Sequence, residues 1–463
     1  MSGEAILIAM MPEHLLLAGI VFLIVLEIAG STRGSQLLSV AVVAAAAAIA
    51  AMLHLQGYSA APFAGQFSVG PGPFLAKAVV LALAVPVLLM ARDDFADDGP
   101  FYPLLLSSLY GFCLMMSADS FLTLFLGLEI MSVPVYVMVL LAFRRPESVE
   151  AALKYLVLGG TATALFLMGI SLFYGGKGTL ALSAFTSALS STDPMATTAV
   201  VLVLVAFFLK AAIVPFHAWA PDAYEGASIP VTAFMATVVK AGVVLAALRL
   251  FGTAPVSPLT IDLLAILPLV SIVWGNLTAM RQTSFRRMIA YSSIAHAGYL
   301  FYAFLGAGPG RFQAVVFYLI AYALMNLLAF ASIPSGKDDT ARDNLDSMKG
   351  LFHRSPYAAL MIGMAMLSLA GIPPFPGFVA KFLIFKNVMA AGFTLYAVLG
   401  LVGSYLGIYF YLRVIQFMFM TPAAQPAAAA ERESGHLALS AGAICLVGTV
   451  LVAVFPGWVM SLL

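Results

Sequence analysis

Four ionisable side chains lie deep inside apolar runs of this sequence: Glu129, Lys210, Lys240 and Lys381. An ionised group held in a lipid interior costs at least about 2.5–3.5 kcal/mol on insertion scales, so each position calls for a reason. Glu129 stands in FLGLEIMSVPVYVM, where Pro134 frees a backbone carbonyl about one turn away. Lys210 stands in VAFFLKAAIVPFHAW, with Pro215 interrupting the helix roughly one turn on. Lys381 stands in GIPPFPGFVAKFLIF, whose prolines and glycines forbid a regular helix through 371–377. Irregular backbone at membrane depth survives only where protein or water covers it. A lysine beside such a break marks an ion site in a discontinuous helix. A buried amine keeps its proton when a carboxylate is near and yields it when the carboxylate withdraws. Such a switch, about 1.4 kcal/mol per tenfold change in occupancy, matches the roughly 2.3 kcal/mol needed per charge and 100 mV. The chemistry these residues offer is movement of protons.

Other polar residues carry less weight. Lys154 follows Glu150 at i+4 in ESVEAALKYLVLGG, so a local salt bridge and a relay role are equally supported. Lys77 and Glu27 lie nearer helix ends and read as side chains that snorkel to the headgroups. His296, in YSSIAHAGYLFYAF, shares its helix with Ser292, Ser293 and Tyr299, a set that suits a water-linked proton path. The spacing of His217 and His296 gives no paired haem-ligand pattern. Cys113 and Cys445 are too few for an iron–sulfur cluster and read as buried inert thiols. No metal site, Walker loop, dinucleotide fingerprint or hydrolase triad stands in a workable context.

The elements that must position these residues follow from composition. Of 463 residues 62% are apolar and 9% charged, with a net charge of +1. Soluble domains carry about 25% charge, so a water-soluble particle is excluded, as are disorder and nucleic acid as a partner. The chain reads as an all-α polytopic membrane protein set in the lipid bilayer. Hydropathy gives about fourteen spans, near 5–29, 35–55, 73–92, 100–117, 119–143, 149–174 and 195–220 for the first seven. The others lie near 228–252, 257–279, 285–305, 311–333, 355–390, 393–420 and 437–461, by the same approximate reading. The first span carries Glu4 and Glu13 and reads as a retained helix rather than a secretory peptide.

Loop charge supports that alternation. Connections after odd-numbered spans hold Arg33, Arg92, Arg144, Arg145, Arg281, Arg286, Arg287, Lys337, Arg342, Lys349, Arg354 and Arg432. Connections after even-numbered spans hold only Lys177, Arg249, Arg311 and Lys386. Positive charge stays inside, which places both termini on the outer side. The seventh and twelfth spans are both discontinuous and five apart, so spans 4–8 and 9–13 would form an inverted repeat. The whole reads as one integral membrane domain over 1–463. It divides roughly into 1–95 (spans 1–3), repeats at 100–252 and 257–420, and a last helix at 437–463. The polar stretch from Pro334 to Pro356 reads as a cytoplasmic loop, and that from Thr421 as a linker.

The run KAAIVPFHAWAPDAYEGASIPVTAFMATVVKAG from Lys210 to Gly242, with YSSIAHAGY and GIPPFPGFVAKFLIF, resembles the antiporter-like subunits of respiratory complex I. The sequence is most similar to the bacterial branch corresponding to mitochondrial subunit 2. Lys240 stands where sibling branches have histidine, and the loop reads DAYEGAS. The span count sets it apart from the shorter animal form. The resemblance implies a proton-translocating subunit of NADH:quinone oxidoreductase, a translocase in the bacterial inner membrane, with both termini periplasmic. Its partners would be the other membrane-arm subunits, including neighbouring antiporter-like ones. No cofactor is implied in this chain; FMN, iron–sulfur clusters and quinone would belong to other subunits. The family's glutamate and lysines fall on Glu129, Lys210, Lys240 and Lys381, with Lys154 and His296 as weaker matches. A component of a multisubunit sodium/proton antiporter is the alternative, and a relic that only bridges its neighbours is a third reading.

Overall fold

A computed structural model describes residues 3–31, 34–95, 99–142, 146–252, 255–306, 309–333, 344–422 and 436–462. Long apolar runs fold here as helices because a backbone without water must pair its own donors and acceptors. The helices are α1 (Met11–Ile28), α2 (Ser35–Leu55), α3 (Pro71–Met90), α4 (Phe101–Met116), α5 (Phe121–Leu140) and α6 (Pro146–Lys177). There follow α7 (Pro194–Ala211), α8 (Trp219–Gly226), α9 (Ile229–Phe251), α10 (Pro258–Ala279) and α11 (Phe285–Leu305). The last long ones are α12 (Pro309–Ala331), α13 (Pro356–Ala370), α14 (Pro376–Ala390), α15 (Thr394–Met420) and α16 (His436–Val454), and a short helix, Pro456–Leu462, follows them.

Among the described residues twelve helices are long and apolar enough to cross a membrane. Two of the expected spans take another form. The one near 100–117 is the 16-residue α4, and the one near 355–390 is two 15-residue halves, α13 and α14. A small antiparallel hairpin of β1 (Ala60–Phe63) and β2 (Phe67–Val69) adds to the all-α expectation. Of the loop charges, Arg33, Arg144, Arg145, Lys337, Arg342 and Arg432 lie outside the described residues.

The chain forms two compact units. The first comprises Met1–Leu88, Phe95–Ala211 and Val238–Ile261. Its core includes edge-to-face phenylalanines: Phe121 packs on Phe166, Phe173 and Phe185, and Phe251 on Phe185 and Phe207. Such pairs add about 0.5–1.5 kcal/mol beyond burial. Arg249 donates to the carbonyls of Met115, Met116 and Ala118, closing the C-terminal end of α4 with a cation.

Lys77 corrects one expectation. Rather than snorkelling, it is fully buried and lies 2.5 Å from Glu13, itself 1% exposed. The rings of Phe67 and Phe74 lie 5.4 and 5.1 Å from its ammonium. Phe67 belongs to the hairpin, which hydropathy did not register, so the route to the headgroups is closed. Glu27 stays half-buried at its helix end.

The second unit comprises Leu89–Asp94, Ala212–Thr237 and Asp262–Leu463. Its interior holds polar side chains among apolar ones, and part of its surface is apolar. Asn276, Ser292, Ser293, His296, Asn326 and Lys381 are buried, while Leu395, Val402, Tyr405 and Tyr409 of α15 stand exposed. Both cysteines, one in each unit, are buried free thiols, as expected.

Candidate proton-handling site

Glu129 and Lys210 come together. α5 carries the carboxylate and α7 the ammonium, and Lys210 Nζ donates to Glu129 Oε1 at 3.1 Å and to Ser132 Oγ at 3.2 Å. Thr163 of α6 donates its hydroxyl to the same carboxylate oxygen at 2.7 Å. Ser132 passes its own hydrogen to the carbonyl of Leu128. The two side chains are 7% and 24% exposed, so the lysine is enclosed and the glutamate keeps one open flank. A charge pair with hydroxyls around it and an accessible edge can change its proton occupancy without leaving a bare ion in oil.

The helix breaks stand where the prolines placed them. α7 ends at Ala211, and Ala212 takes φ 63°, a left-handed turn that few side chains adopt. The irregular stretch before Trp219 includes a cis Val214–Pro215 bond, and Val214 N–H finds the hydroxyl of Ser271 at 2.9 Å. In the second break α13 stops at Gly371 with φ 81°, and α14 resumes at Pro376 after a cis Pro373–Pro374 bond. Lys381 Nζ reaches back to the terminal carbonyls of α13, Leu369 and Ala370, at 3.1 Å each. A helix C-terminus carries partial negative charge, so this cation is held by backbone instead of by a carboxylate. Its ammonium also lies 5.2 Å from the ring of Tyr299.

Lys240 is 6% exposed and opens the regular part of α9 directly after a π-helical turn, Met235–Val239. Such turns recur at functional positions because they shift side-chain phase by one residue. Lys154 takes the local option: it lies 2.6 Å from Glu150 on the exposed face of α6. His296 is buried on α11 with Tyr318 and Tyr411 against its two ring nitrogens. His217 accepts from Trp274 Nε1 at 3.1 Å.

Sequence reasoning missed Ser132 and Thr163. Ser132 is three residues beyond Glu129 and so shares its helix face, a spacing that would have shown it. Thr163 comes from another helix and left no local sign. It also missed how the DAYEGAS segment is anchored: Arg287 bonds both Asp222 and Glu225 at 2.8 Å, and Arg286 the carbonyl of Ala227.

Long apolar helices, two of them broken beside a lysine, are the build of an antiporter-like membrane subunit, and the comparisons agree. A family model described as "NADH:quinone oxidoreductase/Mrp antiporter, TM" matches residues 118–407, more than half of the chain, so the chain belongs to that family. Its relatives include proteins named NADH-quinone oxidoreductase subunit N. That of Pelobacter propionicus is 39% identical with 90% of each chain covered. That of Desulfovibrio desulfuricans is 38% identical, covering 91% of this chain and 88% of its own. A chain in the structure of respiratory complex I from Thermus thermophilus with bound aureothin has TM-score 0.85 and 34% identity, covering 97% and 98%. A chain of an archaeal membrane-bound sulfane sulfur reductase has TM-score 0.87 at 25% identity, covering 100% and 96%.

Proposed function

We propose that this chain is a proton-translocating membrane subunit of an NADH:quinone oxidoreductase, the counterpart of the subunit N proteins it matches. The observation that carries the reading is the half-buried Glu129–Lys210 pair, 3.1 Å apart one residue before a helix break. Glu129 is the movable charge partner, and Lys210 and Lys240 hold protons. Lys381, gripped by the end of α13, exchanges them with the outer side or with a neighbouring subunit. His296 joins these stations, and Lys154 has a supporting place at most. The inverted repeat of spans 4–8 and 9–13, the fourteen-span count and the single-domain division belong to this proposal.

The same reading places the chain in a bacterial inner membrane with periplasmic termini, among other membrane-arm subunits that cover its exposed apolar side chains. Flavin, iron–sulfur and quinone chemistry then belongs to those other subunits, and this chain contributes ionisable groups alone. The family includes sodium/proton antiporter components, but the subunit N relatives span nine-tenths of the chain and favour the oxidoreductase.

The test is Lys210→Ala and Lys381→Ala in the assembled complex, with NADH-driven proton release measured in sealed vesicles. Both substitutions are expected to abolish release through this subunit. Wild-type proton stoichiometry in both would overturn the assignment.

A further inference from the structure

Two tyrosine hydroxyls close on the two nitrogens of one buried imidazole. His296 is 2% exposed. Tyr318 Oη of α12 lies 2.7 Å from its Nδ1, and Tyr411 Oη of α15 lies 3.2 Å from its Nε2. Tyr411 Oη is also 2.5 Å from the hydroxyl of Ser292, one turn earlier on α11. The rings of Tyr299 and Tyr322 stand at 5.4 and 4.8 Å from the imidazole, centroid to centroid.

A neutral imidazole has one donor and one acceptor nitrogen. With a phenol at each, one phenol must donate while the other accepts. Exchanging both roles at once passes a proton through the ring without forming an imidazolium. An imidazolium set among these phenols and a serine would bear the desolvation cost of a buried charge. The neutral exchange avoids that cost.

We propose that Tyr411, His296 and Tyr318 form a charge-neutral proton relay, which rests on the reading of this chain as a proton translocator. In one step Ser292 gives its hydroxyl proton to Tyr411 Oη, and Tyr411 gives its own to Nε2. The Nδ1 proton then moves to Tyr318 Oη, and Tyr318 releases its original hydroxyl proton to an interior water. An excess proton arriving on a second water refills Ser292, and that water is left neutral. One proton enters and one leaves, no bond between heavy atoms changes, and no net charge remains on the three residues. Reorientation of the ring and hydroxyls restores the starting tautomer.

Tyr318→Phe and Tyr411→Phe keep the ring packing and delete only the hydroxyls. In the assembled complex, each is expected to lower coupled proton release about tenfold or more, since a positioned acid or base contributes about 10²–10⁴-fold. His296→Lys supplies a cation without a two-sided ring and is expected to fail equally. Wild-type release by the assembled double Phe variant, or by His296→Lys, would overturn the relay. A second measurement needs no tyrosine variant. Infrared difference spectra of the unaltered complex during turnover, with labelled histidine, should show neutral-ring bands that disappear in His296→Gln. An imidazolium band lost in that variant would overturn the neutral route. Lys210→Ala separates the two levels. If it stops pumping while the double Phe variant pumps normally, only the relay is wrong. If both pump normally, the translocator reading is wrong.

Discussion

Two glutamate–lysine pairs in one unit have opposite surroundings, which suit different tasks. Lys77 and Glu13 are sealed, with phenylalanine rings against the ammonium. Lys210 and Glu129 sit among hydroxyls, with the carboxylate 24% exposed. A sealed pair cannot exchange protons readily, and it is costly to break. Glu13→Gln or Lys77→Met alone should therefore destabilise the protein by about 3–5 kcal/mol, the usual result of stranding one buried charge. Combining Glu13→Leu with Lys77→Met should restore most of that loss, because a well-packed apolar pair often replaces a buried ion pair without cost. Thermal unfolding of the assembled complex in detergent checks both outcomes. A single variant as stable as the wild type would contradict the structural role. At Thr163, the change to Val removes one hydrogen bond to a charged oxygen, typically worth about 1.5–3 kcal/mol. It should slow proton release while leaving assembly intact, as vesicle assays on the purified complex would show.

At the scale of elements, the breaks were legible and the company they keep was not. Pro215 and the 371–377 cluster announced discontinuous helices because proline lacks a donor and clashes with the preceding turn, and α7 and α13 stop there. Lys381 was legible as a buried cation, but its grip on the carbonyls of Leu369 and Ala370 depends on how the chain folds back after Gly371. Tyr318 and Tyr411 meet His296 from two other helices, and local spacing on α11 carries no trace of them. The hairpin was missed because Ala60–Phe63 and Phe67–Val69 are too short to stand out between two spans, yet it seals Lys77. Gly371 offers an element-level test. At φ 81° a side chain costs about 1–2 kcal/mol, and a Cβ there would meet Lys381 Cδ at 3.0 Å. Gly371→Ala should thus lower proton release by displacing the ammonium, while α13 stays helical. Normal release with an unchanged fold would separate Lys381 from transport.

Over the whole molecule apolar side chains stand exposed on the surface, and a minority of serine, asparagine, histidine and lysine side chains lie buried among the apolar ones. That pattern suits a chain whose surface is covered by lipid or by neighbouring subunits and whose interior carries charge. The orientation proposed from the loop charges has its own test. In intact spheroplasts, Lys177→Cys should react with an impermeant thiol reagent, whereas Lys349→Cys should react only after the membrane is opened. Reversed labelling would place the proton path in the opposite sense. The central claim is narrower than topology: Lys210 must give up a proton during each cycle. Lys210→Arg tests this directly, since arginine keeps the ion pair with Glu129 but does not deprotonate. The decisive quantity is NADH-driven proton release by the assembled Lys210→Arg complex in sealed vesicles, compared with the wild type. Assembly with release lost is the result expected here; release at the wild-type rate would contradict it.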